Sequence, residues 1–158
     1  MGENSKEFSM MLNDITIFRK EIDAANKILA EIPDLRKHNF IFEYSMSLFA
    51  DKNKSIIGTI SRISVFTDEE KQNRFAYFEI GIAFTIVDFE NYVLEEKIMV
   101  PDNALAVMIS SSIGTSRGIL FCEFKGTALA TINLPLIQTK PIADNIKKKI
   151  ASGLDLVK

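Results

Sequence analysis

Three times in succession between residues 40 and 87, apolar side chains recur at every second position. In the first run Phe40, Phe42, Tyr44, Met46 and Leu48 alternate with Ile41, Glu43, Ser45, Ser47 and Phe49. The second, Ser55 to Thr67, is rich in β-branched residues, with Ile57, Ile63 and Val65 on one face and Ile56, Ile60 and Phe66 on the other. The third, Phe75 to Val87, sets Ala76, Phe78, Ile80, Ile82, Phe84 and Ile86 against Phe75, Tyr77, Glu79, Gly81, Ala83 and Thr85. Alternation of this kind is the signature of strands, and the residue types suit a pleated surface. Polar turns at Asp51–Lys54 and Asp68–Arg74 keep the connections short, so an antiparallel meander is the simple solution. Thirteen extended residues reach roughly 43 Å, long for one small domain. One layer of helices covers one face of such a sheet, and the second face, with Phe75 and Tyr77, needs cover too. An N-terminal helix, another subunit or a client polypeptide are the candidates for it.

The flanking segments read as helices. Residues 1–7 are polar and read as a flexible N-terminus. From Phe8 the apolar positions Leu12, Ile15, Phe18, Ile22, Ala25, Leu29 and Ile32 follow in steps of three and four, which predicts a helix over 8–32. Pro33 ends it, because a proline pushes the preceding residue out of the α region. The narrow stripe suits packing on the chain's own sheet or pairing with another subunit. Residues 88–101 read as a helical turn around Phe89 and Tyr92 followed by an extended stretch from Lys97 to Val100.

Asp102 is a candidate N-cap for a long helix carrying Leu105, Ile109, Ile113, Leu120 and Phe124. Gly114 and Gly118 in that helix predict close approach to the sheet or to another helix. Gly126-Thr127 is a break, and Leu134-Pro135-Leu136-Ile137 an extended apolar loop. Ile142, Ile146 and Ile150 predict a last helix, with Lys147 to Lys149 near its negative end and Gly153 as its stop. The sum is a single α+β domain over 8–158, with its sheet in 39–100 and the C-terminal helices and loop in 102–152.

Chemistry is scarce in this sequence. The chain of 158 residues has a net charge of −2, one cysteine and one histidine. A zinc set or an intrachain disulfide is therefore out of reach, and no basic patch invites nucleic acid. Cys122 reads as a buried structural thiol and His38 as a lone ring. Gly114 to Gly118 lacks the glycines and lysine of a phosphate loop. The start of the chain lacks the charged and apolar regions of a signal peptide, and Ser5 falls one residue short of a myristoylation pattern. With no apolar run near the ~20 residues of a membrane span, the expectation is a cytoplasmic, non-enzymatic protein without cofactor or metal. What remains is apolar surface, which suits extended polypeptide.

Ile113-Gly114-Thr115-Ser116-Arg117-Gly118-Ile119-Leu120, then Gly126-Thr127 and Leu134-Pro135-Leu136-Ile137, resembles the C-terminal half of SecB-like proteins, in particular the divergent group whose helix ends in Arg-Gly-Ile-Leu. The order of strands, long helix and apolar proline loop agrees over roughly residues 40–140. The resemblance implies an antiparallel sheet with helices on one side, assembly into homodimers or homotetramers, and ATP-independent holding of unfolded polypeptides in the service of export or of toxin–antitoxin control. Phe42, Tyr44, Phe75, Tyr77, Leu134, Leu136 and Ile137 are the candidate client surface. Gly114, Arg117 and Gly118 form the structural motif, with Glu123 or Glu79 as the partner a buried arginine would need. Two departures stand out. The family begins with a strand where this chain reads as helix, so a fourth strand must come from residues 93–100 or from the N-terminal part. An acidic surface for docking a translocase is not evident. The competing reading is an oligomeric accessory or immunity protein with one fixed protein partner.

Overall fold

Three of the four long strands lie where the alternation puts them. The structure, a computed structural model, describes residues 8–152 apart from residues 24, 95 and 96. Strand β1 is Met10–Ile22, helix α1 Lys27–Glu31, β2 Ile41–Asp51, β3 Ile56–Phe66 and β4 Arg74–Ile86. A 3-10 turn at Phe89–Asn91 leads to the short β5 (Val93–Leu94) and β6 (Lys97–Ile98), followed by the long helix α2 (Asp102–Phe124) and α3 (Thr139–Ala151). The four long strands form one antiparallel sheet in the order β1-β4-β3-β2, while β5 and β6 pair separately.

The helix expected over 8–32 is not formed. Most of that stretch is β1, paired along β4, and only the five residues of α1 are helical, capped by the Asn26 side chain on the N–H groups of Ile28 and Leu29. Two β-bulges explain the misreading. The ladder skips Asn13 and Phe18, so the helix-side positions run Met10, Leu12, Ile15, Ile17, Lys20, Ile22. Each bulge adds one residue, and a period of two becomes steps of two and three that imitate a helical stripe. The fourth strand thus comes from the N-terminal part. The predicted flexible N-terminus and Gly153 lie outside the described residues.

The core sits between the sheet and α2 and α3. Ile57, Ile63, Phe78, Ile80 and Ile82 from β3 and β4 meet Leu105, Met108, Ile109, Leu120 and Phe124 from α2, all essentially without solvent contact. Each such side chain contributes about 1.5–3 kcal/mol on leaving water. Phe78 and Phe124 meet edge to face with ring centroids 6.0 Å apart. A polar contact crosses this layer between the buried Thr59 and Ser112 hydroxyls at 2.6 Å, and Ser112 donates on to the Met108 carbonyl.

Pro101 rather than Asp102 is the cap of α2, and the Asp102 carboxylate instead pairs with Lys147 of α3 at 2.8 Å. Just past the Lys125 cap of α2, Gly126 has a φ of +79°, a conformation that glycine adopts without strain. Pro141 sits in the first turn of α3, where no backbone N–H is needed. With 23 residues and its apolar composition, α2 is long enough to cross a membrane, contrary to the expectation that no run approaches that length. Nine of its side chains are instead buried in this fold.

Candidate polypeptide-binding surface

The helix layer is off-centre. Helices α2 and α3 lie over β3 and β2, and β2 buries Met46, Leu48 and Ala50 beneath them. Strand β1 buries none of its side chains. Leu12, Ile15 and Ile17 occupy its helix-side positions opposite Phe84, Ile82 and Ile80, yet remain 53%, 44% and 41% exposed. Met11 and Phe18 are more exposed still. The tie between α2 and β1 is an ion pair, with Lys20 donating to Glu123 at 2.8 Å near the end of the helix. The result is a strip of aliphatic side chains beside α2 that no described residue covers.

The opposite face of the sheet is built differently. At one end Arg62 donates to Ser47 and to Glu79, and the Tyr77 hydroxyl also donates to Glu79. Arg19 and Arg74 both stand over the Tyr77 ring and share Glu21. Partial burial, then the neighbouring Glu79, raise the Tyr77 pKa. At the other end the rings of Phe18 and Phe49 fold from the two edge strands over Gly81 and Gly58, walling a cleft of about 250 Å³ with Ile56 and Ala83. A charged patch and a small aromatic cleft therefore share a face that the sequence marked only as too apolar to stay wet.

The residues singled out from the sequence do not come together as one surface. Phe75 is 2% exposed and meets Phe40 edge to face, because the β3–β4 ladder skips it and the bulge turns its ring away from Tyr77 into the core. Leu134 is buried as well. Phe42, Tyr44 and Ile137 are half-buried against the core, and the Tyr44 hydroxyl bonds Ser61 at 2.8 Å. Ser116 Oγ is buried without a well-formed hydrogen bond, although it lies close enough to the Tyr44 phenol to favour its ionised form. Burial outweighs both hydroxyls and raises the Tyr44 pKa. Of the seven, only Leu136 is fully presented, at 86% exposure.

The structural motif also needs correction. Gly114 and Gly118 face open space, since a Cβ on either would meet nothing within 4 Å, so they do not mark a close approach within this chain. Arg117 is exposed, while Glu79 is engaged by Arg62 and Glu123 by Lys20. Cys122 is exposed too, on the side of α2 away from Leu120 and Phe124. His38 bonds the Thr67 carbonyl at 2.7 Å and packs on Phe40. Among the described residues no group of three or more His, Cys, Asp or Glu side chains could hold a metal ion.

Sequence reasoning missed β1 altogether as an exposed surface. The run Ile15-Thr16-Ile17-Phe18 was the available signal, since three β-branched residues and an aromatic favour a strand over a helix.

No family model and no curated protein matches the chain. Among solved structures it is similar to the SecB-like chaperone Rv1957 of Mycobacterium tuberculosis, solved in complex with a ChAD peptide from the antitoxin Rv1956 HigA1. That likeness has 14% identity and a TM-score of 0.50, and it covers 81% of this chain and 90% of that one. A protein of unknown function from Streptococcus agalactiae also aligns, at 9% identity and a TM-score of 0.41 over 84% of this chain and 99% of that one. The first likeness shows a shared α+β fold: an antiparallel four-stranded sheet followed by a long helix.

Proposed function

We propose that this protein is a chaperone-like, ATP-independent holder of unfolded or extended polypeptides that works as a homo-oligomer in the cytoplasm. One observation carries the reading: Leu12, Ile15 and Ile17 form an aliphatic strip on the helix side of β1, left open beside α2. An uncovered apolar strip of this kind marks a surface that something else must meet. An extended chain fits it well, because side chains two residues apart repeat at the spacing of the strand itself. The fold supports the reading, since a SecB-like chaperone that shares it was solved with an antitoxin peptide. Client release to a translocase, or control of an antitoxin, would be specialisations of the same holding activity.

The test is light scattering of an aggregating unfolded substrate, without nucleotide. The protein in molar excess suppresses the signal. Replacing Leu12, Ile15 and Ile17 together by lysine abolishes suppression while far-ultraviolet dichroism stays native. A wild-type protein that neither suppresses aggregation nor binds a hydrophobic dye overturns the reading in favour of a fixed-partner accessory protein.

A further inference from the structure

The face of the sheet away from the helices carries a hollow that the aliphatic strip does not use. Three small residues meet there on adjacent strands. Gly58 of β3 stands opposite Ala83 of β4, and Gly81 lies two positions from Ala83 along β4. Residues two apart on a strand share a face, so these three leave a dip in the middle of the sheet. Phe49 reaches in from β2 over Gly58, and Phe18 from β1 over Gly81, which turns the dip into a cleft of about 250 Å³. Pockets for drug-sized molecules hold about 300–1,000 Å³, so a ligand of this cleft is smaller.

Charge is unevenly shared round the rim. Asp14 of β1 is opposite Ala83, and Asp51 of β2 is opposite Ile56, so each edge strand brings one carboxylate to the cleft. The Asp14 carboxylate accepts from the Thr16 hydroxyl at 2.7 Å and has no cationic partner among the described residues. Asp51 accepts from the Asn53 N–H at 3.0 Å, and Lys54, the cation among the lining residues, stands off at 3.8 Å. The arginines of this face, Arg19, Arg62 and Arg74, are engaged by Glu21 and Glu79 at the other end of the sheet. An exposed carboxylate alone holds an amine weakly. Here two aromatic rings stand beside the carboxylates. Such rings attract an ammonium group, and their apolar bodies cover an alkyl chain.

We propose that this cleft binds a short aliphatic diamine, with its chain between Phe18 and Phe49 over Ala83 and its two ammonium groups directed to Asp14 and Asp51. Charge complementarity selects this ligand. A lysine side chain of a protein partner brings a single ammonium and leaves one of the two carboxylates unanswered, whereas a free diamine answers both. The aliphatic strip of Leu12, Ile15 and Ile17 is on the opposite face. The diamine site therefore stands whether or not the protein holds unfolded chains.

Amide NMR of the full chain, titrated with 1,4-diaminobutane at constant ionic strength, tests the site. The amides of Gly58, Gly81 and Ala83 shift saturably, with half-saturation in the millimolar range. Butylammonium, with the same chain and one charge, binds about threefold or more weakly, and uncharged 1,4-butanediol about tenfold or more weakly. Asp14→Asn and Phe18→Ala change exposed residues, so the rest of the spectrum stays that of wild type while each weakens the diamine about threefold or more. Butanediol binding as well as the diamine shows an apolar cleft without preference for cations and overturns the proposal. So do a diamine no tighter than butylammonium, shifts that follow surface carboxylates elsewhere and miss the three cleft residues, and an Asp14→Asn variant that binds like wild type.

Discussion

The two edge strands of this sheet, β1 and β2, are similar in length and in apolar content, and their surroundings are opposite. Strand β2 lies under α3, beside β3 under α2, and buries Met46, Leu48 and Ala50. Strand β1 has the same aliphatic alternation, once its bulges are allowed for, and buries none of it. A single helix layer displaced toward β2 accounts for both. The sheet is wider than the helices that cover it, and the uncovered margin is the functional candidate. Leu48→Ala should therefore destabilise the fold by about 2–5 kcal/mol, as a large-to-small change in a closed core does. Ile15→Ala, chemically similar and on the other edge, should cost under ~1 kcal/mol in the isolated chain. Urea unfolding of both variants at low protein concentration checks this. Equal losses would mean that β1 is covered in the monomer after all.

The contact that fixes the helix layer over the covered half sharpens the contrast. Thr59 and Ser112 satisfy each other inside a largely apolar interface. Ser112→Ala leaves the Thr59 hydroxyl buried without that partner, which should cost about 1–3 kcal/mol. Thr59→Val combined with Ser112→Ala should recover most of the loss, because both polar atoms are then gone. A double-mutant cycle by urea unfolding reads the coupling directly, and additive losses would show that the two hydroxyls act independently.

The outer face offers the same comparison on a smaller scale. Phe49 of β2 covers Gly58, and Phe18 of β1 covers Gly81. A Cβ at Gly58 would also meet the backbone oxygen of Ile82 at 2.6 Å, which cannot swing aside. At Gly81 the three nearest atoms all belong to the Phe18 ring, a residue 57% exposed. Gly58→Ala should thus cost about 1–3 kcal/mol, and Gly81→Ala should stay within ~0.5 kcal/mol of wild type. Thermal unfolding distinguishes them. A large loss at Gly81 would show that the Phe18 ring is fixed.

The covered half of the molecule was also the half legible in the sequence. Strands β2, β3 and β4 from Ala76 onward kept a period of two because helices bury one of their faces, and α2 kept its apolar positions for the same reason. Strand β1 was illegible because two bulges at Asn13 and Phe18 disturbed the period, and because a strand exposed on both faces has no buried stripe to fix its phase. The candidate site went with it. Aromatic residues drew attention to Phe75 and Tyr77 as a pair, but a bulge separates them, and alternation alone cannot reveal where one extra residue will reverse a face. The C-terminal motif was visible in sequence, yet Gly114 and Gly118 turn toward solvent, because which side of an apolar helix meets its own sheet is decided by packing and not by composition.

The smallest effect concerns two tyrosines raised in pKa for different reasons. Tyr44 lies under α2 on the covered strand, and loss of hydration is the main cause. Tyr77 lies among charges on the outer face, where Glu79 adds to partial burial and Arg62 and Arg19 oppose it. In both cases the folded state resists ionisation more than the unfolded chain does. Stability is then unaffected below the ordinary tyrosine pKa of about 10 and falls as pH rises through and beyond it, because the unfolded chain releases its protons first. Tyr44→Phe removes the larger desolvation and should flatten that alkaline decline. Tyr77→Phe should flatten it less, since its half-buried ring is screened by solvent and by two guanidinium groups. Urea midpoints between about pH 9 and 11 measure the difference. A steeper decline in Tyr44→Phe than in wild type would show that the phenol ionises more readily in the fold and that its neighbours, Ser61 and Ser116, outweigh its burial.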